Sequence, residues 1–339
     1  MATFNRIVCL ATVAAGVSFT ASAKTCTWIN TETSAAQSWS EPTNWQGGQV
    51  PAAGDDVDIS DSTYINLGGA DIGTLTHTKG NLKICTGSLV WTNRGDIVTT
   101  GSSVTLLARS TTVAFPEGEH TISNSCKVEM QWADADGGNG VKFIGAGSLV
   151  KRGAGKLGLD NGWGYFYYQL TGTLAIYEGE FVTDARGASG GVVWSTDITV
   201  SGPTAKFTLQ RFANNNFAPG TTLRLDNRGT FNCATTAGKP SLELEHLYIN
   251  GTECAAGTWK NWNSSLAADY RWMDITTPTD KPLVVKSCSL ATGAFTGLAE
   301  GAMASGITRY YIANNGYSSP SSWQDGMPAK DLDDVVFNV

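Results

Sequence analysis

From Asp56 to Glu245 the chain repeatedly places apolar and polar residues in alternation over stretches of only four to six residues. Asp56-Val-Asp-Ile-Ser60, Asn81-Leu-Lys-Ile-Cys85, Ser103-Val-Thr-Leu-Leu107 and Cys126-Lys-Val-Glu-Met130 are typical, and 88–92, 190–194, 197–200, 205–209, 222–225 and 241–245 read the same way. A period of two, cut off by Gly, Asn, Ser or Pro after so few residues, predicts short strands joined by tight corners. Helical periodicity is nearly absent after residue 24, so the expected fold class is all-β.

Strands this short and this closely set suit a sandwich or a solenoid. β character runs without a break from about Asp56 to Val285, more than one sandwich normally needs. Within 145–159, Gly-x-Leu recurs as Gly147-Ser-Leu149 and Gly155-Lys-Leu157, and alternation resumes over 171–182. Both features favour a parallel β-solenoid with short non-repetitive ends. Alternate residues of each strand then face the bore, which assigns Leu149, Leu157, Leu159, Leu174, Ile176 and Phe181 to the interior. Glycine turns the corners, where the backbone needs positive φ or close approach. Successive coils pair their backbones about 4.8 Å apart, each stabilised mainly by its neighbours.

Composition agrees. Gly accounts for 39 of 339 residues and charged residues for 16%, against about 25% charged in an average protein. At 41% hydrophobic the chain is not disordered. A net charge of −7 argues against nucleic acid as a partner, since phosphate neutralisation needs a basic surface.

Residues 1–23 have the pattern of a secretory signal peptide: Arg6, an apolar run from Ile7 to Thr20, and Ala21-Ser22-Ala23 before the expected cleavage. The run is shorter than the roughly 20 apolar residues of a membrane span, and no second apolar segment anchors the chain from Lys24 onward. Removing the leader removes Cys9 and leaves Cys26, Cys85, Cys126, Cys233, Cys254 and Cys288. An even number in an exported chain suggests disulfides, with Cys233–Cys254 the first pairing to test; buried free thiols are the alternative.

The stretch carrying Gly145, Gly147, Leu149, Lys151, Gly153, Gly155, Leu157 and Leu159, followed by Thr171-Gly-Thr173 and Gly179-Glu-Phe181, resembles the autotransporter-associated β-strand repeat of bacterial surface proteins. Residues 161–170 depart from that pattern by their many aromatics. The resemblance implies a right-handed parallel β-helix displayed outside the cell.

The ends of the chain resemble each other. Trp45, Pro51 and Asp55-Asp56 correspond to Trp323, Pro328 and Asp333-Asp334, an offset of 278 residues between the tryptophans (323 − 45). The expected organisation is a signal peptide at 1–23, an N-terminal Trp/Pro/Asp-Asp module at 24–60 and the solenoid at 61–290. A small-residue linker at 291–306 and the start of a second such module at 307–339 follow.

No motif carries chemistry by itself. His77, His120 and His246 sit on or beside strands without a nucleophile motif, and Gly-x-Ser-x-Gly is absent. Asp134, Asp136 and Asn139, spaced by two among glycines, are candidate calcium ligands but lack the downstream Glu of an EF-hand; a solvated turn is the competing reading. Asp56 and Asp58 share a strand face and read as structural. Trp163, Tyr165 and Tyr167, in a loop also holding Phe166 and Tyr168, and Trp259, Trp262 and Trp272 are candidate ligand-binding aromatics; the same residues would serve equally as packing. The expected function is a non-enzymatic, secreted or cell-surface, adhesin-like or structural protein that makes extended contacts with glycans or cell-surface proteins and needs no cofactor. The alternative is a carbohydrate-active β-helix enzyme of polysaccharide lyase or glycoside hydrolase type.

Overall fold

The computed structural model describes residues 23–107, 111–131, 140–159, 166–184, 193–210, 217–234, 242–254, 256–259, 273–275, 283–288, 308–311 and 334–337. Almost every strand pairs in parallel with strands one coil before and one coil after it, so the chain winds as a β-solenoid with three strand-bearing faces. The first face stacks Thr25–Trp28, Asp55–Ile59, the end of Asp71–His77, Ile97–Thr99, Glu119–Asn124, Ser148–Arg152, Leu174–Ile176, Asp197–Ser201, Thr222–Asp226 and His246–Ile249. The second runs from Gln37–Ser38 and Thr63–Asn66 through Asn81–Cys85, Ser103–Leu107, Lys127–Gln131, Lys156–Leu159, Glu180–Asp184, Lys206–Gln210 and Thr230–Ala234 to Met273–Ile275. The third stacks the start of Asp71–His77 with Trp91–Asn93, Thr112–Ala114, Val141–Gly145 and Phe166–Leu170.

Register explains why the alternation was so regular. Leu149, Leu174, Ile198, Leu223 and Leu247 are successive partners, one coil being 24 or 25 residues, and all are fully buried. On the second face Leu157, Phe181, Phe207 and Phe231 form another inward column, its phenyl rings 5.9 and 5.5 Å apart. All six residues assigned to the interior are buried. The first coil fills its bore with Trp28, Trp39 and Trp45, packed edge to face at 5.0 and 4.6 Å. Their indoles are satisfied: Trp45 Nε1 donates to Trp39 O (2.8 Å) and Trp28 Nε1 to Thr63 Oγ1 (3.0 Å).

Corners between the third and first faces are held by carboxylates. Asp71–His77 serves both faces and slips register against Asp55–Ile59, and Asp56 Oδ1 accepts the Thr74 N–H there at 2.6 Å. Asp96 Oδ1 does the same for Thr121 N–H at 2.8 Å. This is the local role of Asp56, one of the two aspartates read as structural.

Two expectations are corrected. The run 88–92 is a turn as far as Val90, because Gly87 takes positive φ and Leu89 N–H bonds back to Thr86 O; the strand is Trp91–Asn93, and Leu89 and Val90 stand exposed. The cysteines do not form the expected disulfides: Cys26, Cys85, Cys126, Cys254 and Cys288 are all outside disulfide bonds. Stacking is the reason. It pairs Cys26 with Val57, Cys85 with Asn66, and Cys233 with Leu209 and Ile275, so register sets none of these three beside another cysteine.

Near the other end, Thr308–Tyr311 and Asp334–Phe337 pair in parallel with Thr308 opposite Asp334, the arrangement in which Thr25 lies opposite Asp56.

Candidate functional surface

Strand parity divides the aromatic candidates. Phe166 and Tyr168 point into the bore, where Phe166 packs on Phe143 at 4.9 Å and Tyr168 on Phe181 at 5.5 Å. The Tyr168 hydroxyl accepts from Ser195 Oγ at 3.3 Å, and burial pushes its phenol far above the ordinary range. Tyr167, between them, faces outward, half-buried, with the Lys142 ammonium 6.0 Å from its ring centre. Trp163, Tyr165, Trp262, Trp272 and the calcium candidates Asp134, Asp136 and Asn139 lie outside the described residues. Trp259 ends the strand Gly257–Trp259, and its side chain is not among those described.

Tyr167 belongs to the outer surface of the third face. One outward row contains Thr112, Lys142 and Tyr167; the next contains Asp71, Thr92, Ala114, Ile144 and Gln169. Trp194 extends this second row: its N–H bonds to Tyr168 O, and Ala218 N–H bonds to Val193 O in the following coil. Val193 is buried, whereas Trp194 is 45% exposed. The run 190–194 carries the signal for Trp194, since alternation with the buried Val193 puts it outside. At the lower end of the same surface Arg94 clamps Asp71 through two bonds of 2.6 and 2.7 Å.

The first face presents a different chemistry. Arg152 lies over Tyr177 at 4.6 Å, and Arg224 lies over Tyr248 at 4.3 Å while its Nε donates to Asp197 at 3.4 Å. These guanidiniums lie within cation–π distance of the rings.

The three histidines occupy separate places. His246 Nδ1 pairs with Glu253 Oε1 at 2.8 Å. His120 is buried with Nε2 2.8 Å from Pro116 O. His77 is fully buried, and burial lowers its pKa below 6.5. Its Nδ1 lies 3.0 Å from Thr99 Oγ1, which lies 3.2 Å from Cys126 Sγ. A thiol, a hydroxyl and an imidazole thus form a chain at the corner between the first and second faces. The ring is sealed, because a Cβ placed on Gly101 would come within 2.1 Å of His77 Cε1. This chain reads as an internal polar plug.

No protein family, curated protein or solved structure matches this chain. Among the described residues, no three His, Cys, Asp or Glu side chains are grouped to hold a metal ion.

Proposed function

We propose that this is a non-enzymatic, secreted β-helix protein of a bacterial cell surface, adhesin-like, whose flat outer faces make extended contacts with glycans or surface proteins. The observation that carries the reading is the exposed Trp194 in line with Gln169 and beside the row of Tyr167. An indole face, a phenol ring and an amide on consecutive coils offer stacking for the apolar face of a sugar ring and hydrogen bonds for its hydroxyls. The rigid ladder fixes their spacing in advance, which lowers the ordering cost of binding. The leader-like residues 1–23 and the resemblance to the autotransporter-associated repeat support the location.

The test is a glycan array probed with the protein and with Trp194→Ala, run beside a polysaccharide-degradation assay. Glycan retention that depends on Trp194, with no change in polymer length, is the expected outcome. Polymer cleavage by the purified protein would replace this reading with the enzymatic one.

A further inference from the structure

The Asp55 carboxylate is nearly enclosed, 7% exposed, at the start of the solenoid. Its Oδ2 accepts the Ala52 N–H at 2.8 Å and faces the Cys26 thiol at 3.9 Å. Its Oδ1 lies 3.3 Å from the backbone nitrogen of Lys24. Among the described residues, the cation beside it is the Lys24 side chain, at 3.7 Å and 42% exposed. Lys24 is fixed in this place by the ladder, because its carbonyl accepts the Asp56 N–H at 2.9 Å and Thr25 is the partner of Asp56. The preceding residue, Ala23, is the last of the small-residue triplet Ala21-Ser22-Ala23 and is exposed.

We propose that hydrolysis of the Ala23–Lys24 bond converts this contact into an ion pair, with Asp55 as the built-in receptor of the new N-terminus. A peptidase directs water onto the Ala23 carbonyl, the C–N bond breaks, and Ala23 leaves with a carboxylate. The Lys24 nitrogen keeps its electron pair and takes up protons to become an α-ammonium. An amide with one N–H is thereby replaced, at the same position, by a cation with three. Charge-assisted hydrogen bonds are roughly twice as strong as neutral ones, and here the acceptor is already desolvated, so processing stabilises the first coil without any rearrangement. The inference rests on the secretion reading for the identity of the cut, but the Asp55 receptor is testable apart from it.

Two chains are produced by removing a cleavable leader, one beginning at Lys24 and one at Ala21, which keeps the Ala23–Lys24 amide. The Lys24 chain is expected to melt higher by about 1–2 °C, the effect of roughly one kilocalorie in a chain of this length. Asp55→Asn is expected to abolish the difference. Equal melting temperatures of the two unmutated chains overturn the receptor whether or not Asp55→Asn folds. Separately, the intact mass of protein exported by a bacterial host is measured. A start at Lys24 supports the cut, and a start elsewhere overturns it. Retention with the leader intact overturns the secretion reading, while the melting comparison still decides the receptor.

Discussion

Lys151 is the register partner of Ile122 in the coil before it and of Ile176 in the coil after it. After Cys26, the column to which all three belong is otherwise aliphatic: Val57, Leu75, Ile97, Ile122, then Val200, Leu225 and Ile249 beyond Ile176. Lys151 is fully buried, and its ammonium bends into the corner to donate to Arg152 O (2.8 Å), Gly153 O (2.7 Å) and Glu178 O (3.0 Å). It is the donor for three carbonyls of this corner.

Replacing Lys151 with Met keeps the column apolar but strands those carbonyls, so Lys151→Met is expected to destabilise the protein by about 2 kcal/mol at pH 7. Burial lowers the lysine pKa from 10.5 to about 8, with Glu178 opposing the shift. A base with a lowered folded pKa releases its proton earlier in the folded state. Between pH 8 and 10.5 the unfolded chain therefore binds more protons, and stability rises with pH. The gap between wild type and Lys151→Met should widen over that window, by up to about 3 kcal/mol, as measured by urea titrations. A constant or shrinking gap would contradict a lysine pKa lowered by burial.

His77 gives the opposite half of the pH axis. Its folded pKa lies below 6.5 because burial disfavours the charged ring. Its contribution is present above pH 6.5 and is lost as pH falls through the lowered value. His77 continues the column of Trp28 and Ile59, so His77→Leu should fold and lose part of the acid sensitivity below pH 6.5. Thermal melts of both proteins from pH 7 to 4.5 check this. Identical pH profiles would count against it.

Much of this architecture was legible because a solenoid imposes strict parity. Within one strand, an inward Leu149 puts Lys151 inside as well, and an inward Val193 puts its neighbour Trp194 outside. What parity cannot supply is the partner one coil away, since that depends on loop lengths that differ between coils. The even cysteine count pointed to disulfides, yet stacking sets Cys26 against Val57 and Cys85 against Asn66. The turn at 86–90 was misread because Leu89 and Val90 look like strand residues, while the positive φ of Gly87 decides the local path.

The glycines of the repeat-like stretch mark close approach as well as turning. A Cβ on Gly155 would stand 2.0 Å from Cys126 O and 2.6 Å from Asn124 Nδ2 in the neighbouring coil. Asn124 Nδ2 already donates to Cys126 O and Lys156 O, so neither atom can yield freely. Gly155→Ala is expected to cost about 2–3 kcal/mol by overpacking. Gly48→Ala is the control for positive φ in open space, with no atom within 4 Å; strain alone should cost it about 1–2 kcal/mol. Chemical denaturation of both variants measures the difference, and a harmless Gly155→Ala would show that the coils are not packed as described.

Thiol reactivity provides a residue-by-residue check. Cys26 and Cys85 are buried, and burial raises both thiol pKa values, while Cys126 and Cys288 are half-buried. The thiolate is the reactive form, so a brief pulse of iodoacetamide on the native protein should label Cys126 and Cys288 first. Cys26 and Cys85 should react only after unfolding, without prior reduction. Peptide mass spectrometry reads the order. A disulfide-linked peptide containing any of these four would contradict the stacking that separates them.

Trp194 is the sharpest test of the outer surface, because its burial and its proposed role make opposite demands. A side chain 45% exposed beside a buried Val193 contributes little to the core, so Trp194→Ala should change stability by less than about 1 kcal/mol. If the indole is a stacking anchor, the same substitution should weaken binding to a captured glycan by tenfold or more, since exposed aromatics at contact sites account for a disproportionate share of affinity. Tyr167→Ala, on the adjacent row, should act in the same direction but more weakly, because Lys142 already occupies one side of its ring. Isothermal titration of the three proteins, paired with their melting temperatures, separates contact from packing. A large loss of stability in Trp194→Ala with unchanged binding would return this residue to the scaffold.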